Sequence, residues 1–160
     1  MFRIGFGNDT HRLTADKPLI IGGLTIESDL GADGHSDADA LLHAVTDAVL
    51  GALALGDIGA LFPDTSADWK NADSRIFVRE AVRLMKKKGF CVNNLDSVIN
   101  LESPKLRPHI DAIRQNLAEL LETDFENISV KAKTGEKVDA VGERRAIKTE
   151  AVVLLRKSDE

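Results

Sequence analysis

The stretch from Ser36 to Leu55 restricts the fold more than any other part of the chain. Leu42, Val45, Val49 and Leu53 recur at helical spacing on one side, while Asp39, His43, Thr46 and Asp47 keep the same spacing on another. A helix with one apolar face needs an apolar surface to lie on. The run Ala151-Val152-Val153-Leu154-Leu155 near the end of the chain supplies a strand of that kind. Ser36 is a suitable N-cap for the helix, with Asp39 three residues on in a capping-box arrangement.

The rest of the chain fits a sheet with helices on it. Phe2 to Gly7 reads as a strand, and Pro18 to Ile26 reads as a hairpin around Gly22-Gly23. Gly- and Asp-rich loops cover Glu27 to His35 and Gly56 to Lys70. A second helix is predicted from near Asp73 to Lys88, stopped by Gly89. Cys91 to Leu101 reads as a strand, and Ser103-Pro104 as a turn. Pro108 fits the first position of a third helix, whose buried stripe is Ile110, Ile113, Leu117, Leu120 and Leu121. Ile128, Val130 and Ala132 alternate as a strand, Thr134 to Arg145 is a polar loop, and Ala146 to Leu155 is the last strand. This pattern predicts one α+β domain over residues 1–160, with a mixed β-sheet and helices packed on it. The last strand reads as buried on both faces, which in a chain of 160 residues points to a second subunit.

Composition narrows the function. A net charge of −5 argues against general nucleic-acid binding, which needs a basic surface. One cysteine, Cys91, excludes an internal disulfide and any multi-cysteine zinc site, and suits a reducing cytoplasm. No apolar run reaches bilayer-spanning length, so no membrane partner is expected. The strand pattern begins at Phe2, which reads as a chain with no signal or transit segment.

Three residues suggest a metal site. Asp9 and His11 stand at i and i+2 at a strand end and share a face, and His43 lies on the polar stripe of the first helix. One carboxylate and two imidazoles fill three corners of a tetrahedron around Zn²⁺ and leave the fourth for water or a substrate oxygen. Mn²⁺ or Co²⁺ suits the same donors. Asp-x-His near a strand end is also common without metal. Phosphate motifs of the usual kind are missing. No Gly-Lys dipeptide forms a Walker A loop, and Gly5-x-Gly7 is followed by Thr10 where the dinucleotide fingerprint needs glycine. Two other anion sites offer themselves. One is the start of the first helix, at His35 and Ser36, where an ordinary cap is the simpler reading. The other is Lys131 to Lys137, where Glu136 can hold a Mg²⁺ bridging phosphates; a solvated hairpin loop is its simpler reading. Lys86-Lys87-Lys88, Cys91 and His109 are assigned no ligand.

As a set, His35-Ser36-Asp37-Ala38-Asp39 with His43, Leu55-Gly56-Asp57-Ile58-Gly59 and Phe62-Pro63-Asp64-Thr65 closely resemble the signature of the 2-C-methyl-D-erythritol 2,4-cyclodiphosphate synthase family. Gly5-x-Gly7-x-Asp9-x-His11, Ser103-Pro104-Lys105 and Lys131-Ala132-x-Thr134-x-Glu136-Lys137 match its other motifs, in one register from Phe2 to about Arg156. The resemblance implies a metal-dependent enzyme of non-mevalonate isoprenoid biosynthesis. It would cyclise 4-diphosphocytidyl-2-C-methyl-D-erythritol 2-phosphate and release CMP, as a homotrimer with active sites between subunits.

Carried over by position, Asp9, His11 and His43 would hold Zn²⁺, and Glu136 would serve Mg²⁺ or Mn²⁺ on the substrate phosphates. His35 and Thr134 would be catalytic, steadying the phosphates. The substrate would meet Asp9, His11, His35, Ser36, Asp57, Ile58, Gly59, Phe62, Pro63, Asp64, Thr65 and Ser66. The nucleotide would meet Leu101, Glu102, Ser103, Pro104, Lys105, Leu106, Arg107, Lys133, Thr134, Gly135 and Glu136. The chain departs from the family at Phe6, Asn8 and Thr10, and at Lys133 and Gly135. Ala140 and Glu143 stand where the family has a Phe and an Arg of its central cavity, so those two roles are not carried over. The rival readings are a non-catalytic metal- or nucleotide-binding module and a different metal-dependent phosphohydrolase.

Overall fold

The computed structural model describes residues 1–63 and 69–158. Its main sheet has five strands in the order β4-β1-β7-β5-β6. These are β1 (Phe2–Thr14), β4 (Gly31–Asp33), β5 (Phe90–Asn100), β6 (Ile128–Lys133) and β7 (Ala146–Lys157). β5 and β6 run parallel, and the other pairs are antiparallel, so the sheet is mixed as expected. β2 (Leu19–Ile21) and β3 (Leu24–Ile26) form the hairpin, with Gly22 and Gly23 both at positive φ in its turn. The helices are α1 (Ala40–Ala52), α2 (Ile58–Leu61), α3 (Arg75–Lys87), α4 (Ile110–Leu121) and α5 (Asp139–Gly142).

Helix α1 lies directly on β1. Gly5 and Gly7 make this possible, because a Cβ on Gly7 would stand 2.0 Å from the Ala44 carbonyl oxygen, and one on Gly5 1.8 Å from that of Ala48. Leu42, Val45, Val49 and Leu53 are buried in the core, as their spacing predicts. Thr46, read as part of a polar stripe, is buried too, and its hydroxyl donates to the Leu42 carbonyl. The stripe of α4 is buried at all five expected positions.

The structure corrects several local readings. The N-cap of α1 is Asp39, not Ser36: its carboxylate accepts from Leu42 N–H at 3.0 Å, and from Gly22 and Gly23 N–H in the hairpin turn. Burial pushes this carboxyl up to about 6 against the pull of those three donors. β1 continues to Thr14, so Asp9 and His11 sit inside a strand rather than at its end. The loops contain β4 and the short helices α2 and α5, and Pro108 belongs to a 3₁₀ turn leading into α4.

β7 is buried on one face only. Ala151, Val153 and Leu155 face the helices, while Val152 remains 37% exposed. Val152 pairs with Phe6, and Leu154 with Ile4. With Phe2, these residues make a continuous apolar face on which Ile4 is 71% and Phe6 57% exposed.

Candidate metal centre

Strand β1 and helix α1 bring the three expected ligands together. Asp9 Oδ2 lies 2.8 Å from His11 Nε2 and 3.0 Å from His43 Nδ1, and the two ring nitrogens are 3.2 Å apart. Zn²⁺ bound tetrahedrally at about 2.05 Å would need donor separations of about 3.3 Å. The triangle therefore fits a small divalent ion after slight expansion. Among the described residues it is the one group of three or more His, Cys, Asp or Glu side chains able to hold a metal.

Protonation of the group follows from its contacts. His11 Nδ1 lies 3.0 Å from the Asp33 carbonyl on β4, an obligate acceptor. Nδ1 thus carries a hydrogen, and Nε2 offers its lone pair to an ion. Burial pushes Asp9 up, but hydrogen bonds from His11 and His43 outweigh it and hold the carboxyl far below the usual range. Burial also pulls His11 down, and the Asp9 hydrogen bond and charge outweigh that and raise it above its ordinary 6.5.

A cavity of about 340 Å³ opens beside these donors, lined by His11, His43, His35, Ser36, Ile58, Gly59, Phe62, Trp69 and Phe77. Five of the residues expected to meet substrate beyond the metal ligands are therefore on its wall. Helix α2 is held there by α1, since Ile58 N–H donates to Asp47 at 2.7 Å. Asp57 caps α2 through Ala60 N–H and stands outside the wall, as does Pro63. Asp64, Thr65 and Ser66 lie outside the described residues.

Trp69 and Phe77 were not expected at this site. With Phe62 they form an aromatic wall, at centroid distances of 4.6 Å for Phe62–Phe77 and 5.1 Å for Phe62–Trp69. Phe77 also belongs to the buried stripe of α3, so its spacing looks like that of any core residue.

The residues expected to meet the nucleotide form a second group. Leu101 and Leu106 are core residues, and Leu101 N–H donates to the Lys133 carbonyl at 2.9 Å. The Ser103-Pro104 peptide is cis. Glu102 accepts from Gly135 N–H, and Thr134 Oγ1 donates to Glu136 at 2.9 Å, so this loop is tied to itself and to its neighbour. Arg107 and Lys133 line a cavity of about 390 Å³ with Ile110, Val130, Lys131 and Ala132. Gly135 cannot carry a side chain, because a Cβ would stand 2.4 Å from the Gly142 nitrogen.

The two groups do not meet within one chain. Asp9 pairs with Thr149, Thr149 with Ile99, and Ile99 with Ala132, so both lie in one row of the sheet but three strands apart. Three strand spacings are about 14 Å.

Comparison with known proteins bears on this arrangement. The model of the YgbB family matches residues 2–156. The 2-C-methyl-D-erythritol 2,4-cyclodiphosphate synthase of Rhodopirellula baltica is 55% identical over 154 residues, covering 96% of this chain and 93% of the relative. The chloroplastic enzyme of the same name from Catharanthus roseus is 54% identical, and the match covers 96% of this chain but 65% of that longer protein. The solved structure of Plasmodium falciparum IspF in complex with CDP superposes with a TM-score of 0.87 at 36% identity, over 99% of this chain and 97% of its own. Agreement of that extent, in sequence and in backbone, makes this chain a member of the YgbB family.

Proposed function

We propose that this chain cyclises 4-diphosphocytidyl-2-C-methyl-D-erythritol 2-phosphate to 2-C-methyl-D-erythritol 2,4-cyclodiphosphate and releases CMP, a phosphorus–oxygen lyase step of non-mevalonate isoprenoid precursor synthesis. The observation that carries this reading is the convergence of Asp9, His11 and His43 beside the cavity of His35, Ser36, Ile58 and Gly59. The names of the relatives support the cyclic diphosphate product, and the CDP held by the Plasmodium falciparum structure supports a cytidine nucleotide as a ligand.

The chemistry asks for folding and charge neutralisation more than for covalent help. The 2-phosphate oxygen bonds to the β-phosphorus, and the bond from that phosphorus to the oxygen of CMP breaks. The attacking phosphate is already anionic, so no general base is needed. Zn²⁺, or Mn²⁺ or Co²⁺, on Asp9, His11 and His43 would supply positive charge at a phosphate oxygen. His35 and Ser36 line the cavity where that phosphate would lie. Glu136, held by Thr134, presents a carboxylate for Mg²⁺ or Mn²⁺ on the diphosphate. The aromatic wall and α2 would offer the erythritol a largely apolar surface.

We assign the active unit as a homotrimer of single-domain chains. The apolar face of Phe2, Ile4, Phe6 and Val152 needs a cover, and a site built between chains would join a metal group to another chain's nucleotide group. The single cysteine suits the cytoplasm, and no helix among the described residues is long and apolar enough to cross a membrane.

The test is to incubate the purified chain with the cytidylyl substrate and Mg²⁺ and to analyse the products. The expected products are CMP and the cyclic diphosphate. Orthophosphate in place of CMP would instead identify a phosphohydrolase, and no turnover would leave a binding module.

The raised His11 gives a second expectation. Zn²⁺ must displace its proton, so zinc affinity is expected to climb as pH rises through and above 6.5. The same proton stabilises the metal-free fold below pH 6.5, and that contribution fades as pH passes the raised value. Chelator competition at pH 6, 7 and 8 measures the first effect, and a flat profile would contradict it.

A further inference from the structure

Strand β1 and helix α1 explain how His43 reaches the metal group but not why its ring turns Nδ1 toward it. The other ring nitrogen answers this. His43 Nε2 lies 2.9 Å from Ser74 Oγ, at the residue preceding α3, and 3.1 Å from Ser36 Oγ. Ser74 is completely buried. Its hydroxyl donates to Asp37 Oδ1, while its backbone N–H donates to Asp37 Oδ2 at 3.1 Å. Asp37 is fixed in turn, since its N–H donates to the Ala72 carbonyl at 3.0 Å.

We infer that Ser74, with Asp37 behind it, is a positioning residue that sets the tautomer and ring plane of His43 for metal binding. A hydroxyl has one hydrogen, and Ser74 gives it to a carboxylate that can only accept. Toward His43 the Ser74 oxygen is therefore an acceptor, so Nε2 carries a ring hydrogen, and once an ion replaces the hydrogen bond to Asp9, Nδ1 carries the lone pair. That lone pair points at the place where Asp9 Oδ2 and His11 Nε2 converge. The Asp33 carbonyl does the same for His11 from the opposite ring nitrogen, so the two imidazoles are locked in complementary tautomers. Flipping the His43 ring would put carbon against both Ser74 and Asp9. Phe77, at a centroid distance of 5.9 Å, packs against the same ring.

This inference rests on the reading that Asp9, His11 and His43 hold a divalent ion. It is tested on the full-length chain by chelator competition with Zn²⁺, alongside the thermal melting of the metal-free protein. Ser74→Ala is expected to weaken zinc binding about 10- to 100-fold, the usual cost of losing such a supporting partner. Asp37→Asn keeps an acceptor for Ser74 and is expected to weaken it less, in the same direction. In Co²⁺-loaded protein, Ser74→Ala is expected to change the visible absorption of the tetrahedral site, a signature that a purely structural role would leave alone. In the zinc-loaded parent, a slowly exchanging His43 Nε2–H resonance is expected by NMR, which needs no variant to fold. A folded Ser74→Ala that holds zinc within about threefold of the parent, or a fast-exchanging Nε2–H in the parent, overturns the inference. A parent that binds no zinc overturns the metal reading as well.

Discussion

Replacing His43 with alanine is expected to cut CMP release at least about 10³-fold while leaving the chain folded. The side chain is half-buried and faces a cavity, so its removal opens space rather than breaking the core. The loss falls on the metal group. Two donors remain, Asp9 and His11, and a catalytic ion held by two protein ligands binds weakly and loses its fixed geometry. A 10³-fold fall corresponds to about 4 kcal/mol of transition-state stabilisation, within what one ion contributes to a developing phosphate charge. Trimming a proposed nucleotide contact such as Lys133 would remove binding energy that is shared by the ground state, so it should cost much less turnover. The measurement is CMP formed per active chain at saturating substrate, with melting curves beside it. A His43→Ala variant within tenfold of the parent would contradict the account.

The second large effect is on the fold. Gly7→Ala is expected to destabilise the chain by about 3 kcal/mol or more, which for a domain of this size lowers the melting temperature by roughly 10 °C. The added methyl would sit 2.0 Å from the Ala44 carbonyl oxygen and 2.7 Å from the Ala48 nitrogen, both helix backbone. No rotamer change can relieve this, so α1 must lift by more than an ångström. Because α1 carries His43 and β1 carries Asp9 and His11, the same shift would pull the donors apart and weaken metal binding. Gly51→Ala is the control. There a Cβ meets only the Phe6 carbonyl oxygen at 3.8 Å, an ordinary contact, and helix propensity favours alanine. Gly51→Ala should be neutral or stabilising in calorimetry. Equal melting temperatures for Gly7→Ala and the parent would show that α1 does not rest on β1 as described.

How much of this could be read from residues alone depends on how local each feature is. The i, i+2 pair Asp9 and His11 shares a face in any strand, and His43 has helical spacing, so the ligand set was legible. Its supports were not. Asp33 acts on His11 across 22 residues of chain, Ser74 on His43 across 31 and Asp37 on Ser74 across 37, through a short strand and two turns that carry no periodicity. Ser36 and Asp39 are both good cap types, and sequence favoured the earlier one. The choice is made by tertiary contact, because the Gly22-Gly23 turn places two N–H groups on Asp39 and leaves the Ser36 hydroxyl facing His43. The run in β7 read as buried on both sides because apolar content says nothing about what covers it. In one chain the helices cover Ala151, Val153 and Leu155 and leave Val152 exposed. Phe77 and Trp69 are not legible for another reason: Phe77 keeps the spacing of any core residue on α3, and Trp69 lies in a stretch with no periodicity, so neither pattern marks an aromatic that backs a cavity.

The central claim is that Asp9, His11 and His43 grip one divalent ion at a position left open to substrate. Anomalous diffraction at the zinc edge, on crystals of the chain grown with Zn²⁺, tests it most directly. The expected result is one strong peak about 2.0–2.2 Å from Asp9 Oδ2, His11 Nε2 and His43 Nδ1, with a fourth position facing the cavity. A map with no peak there, or with zinc held elsewhere while these three side chains keep only one another, would contradict it.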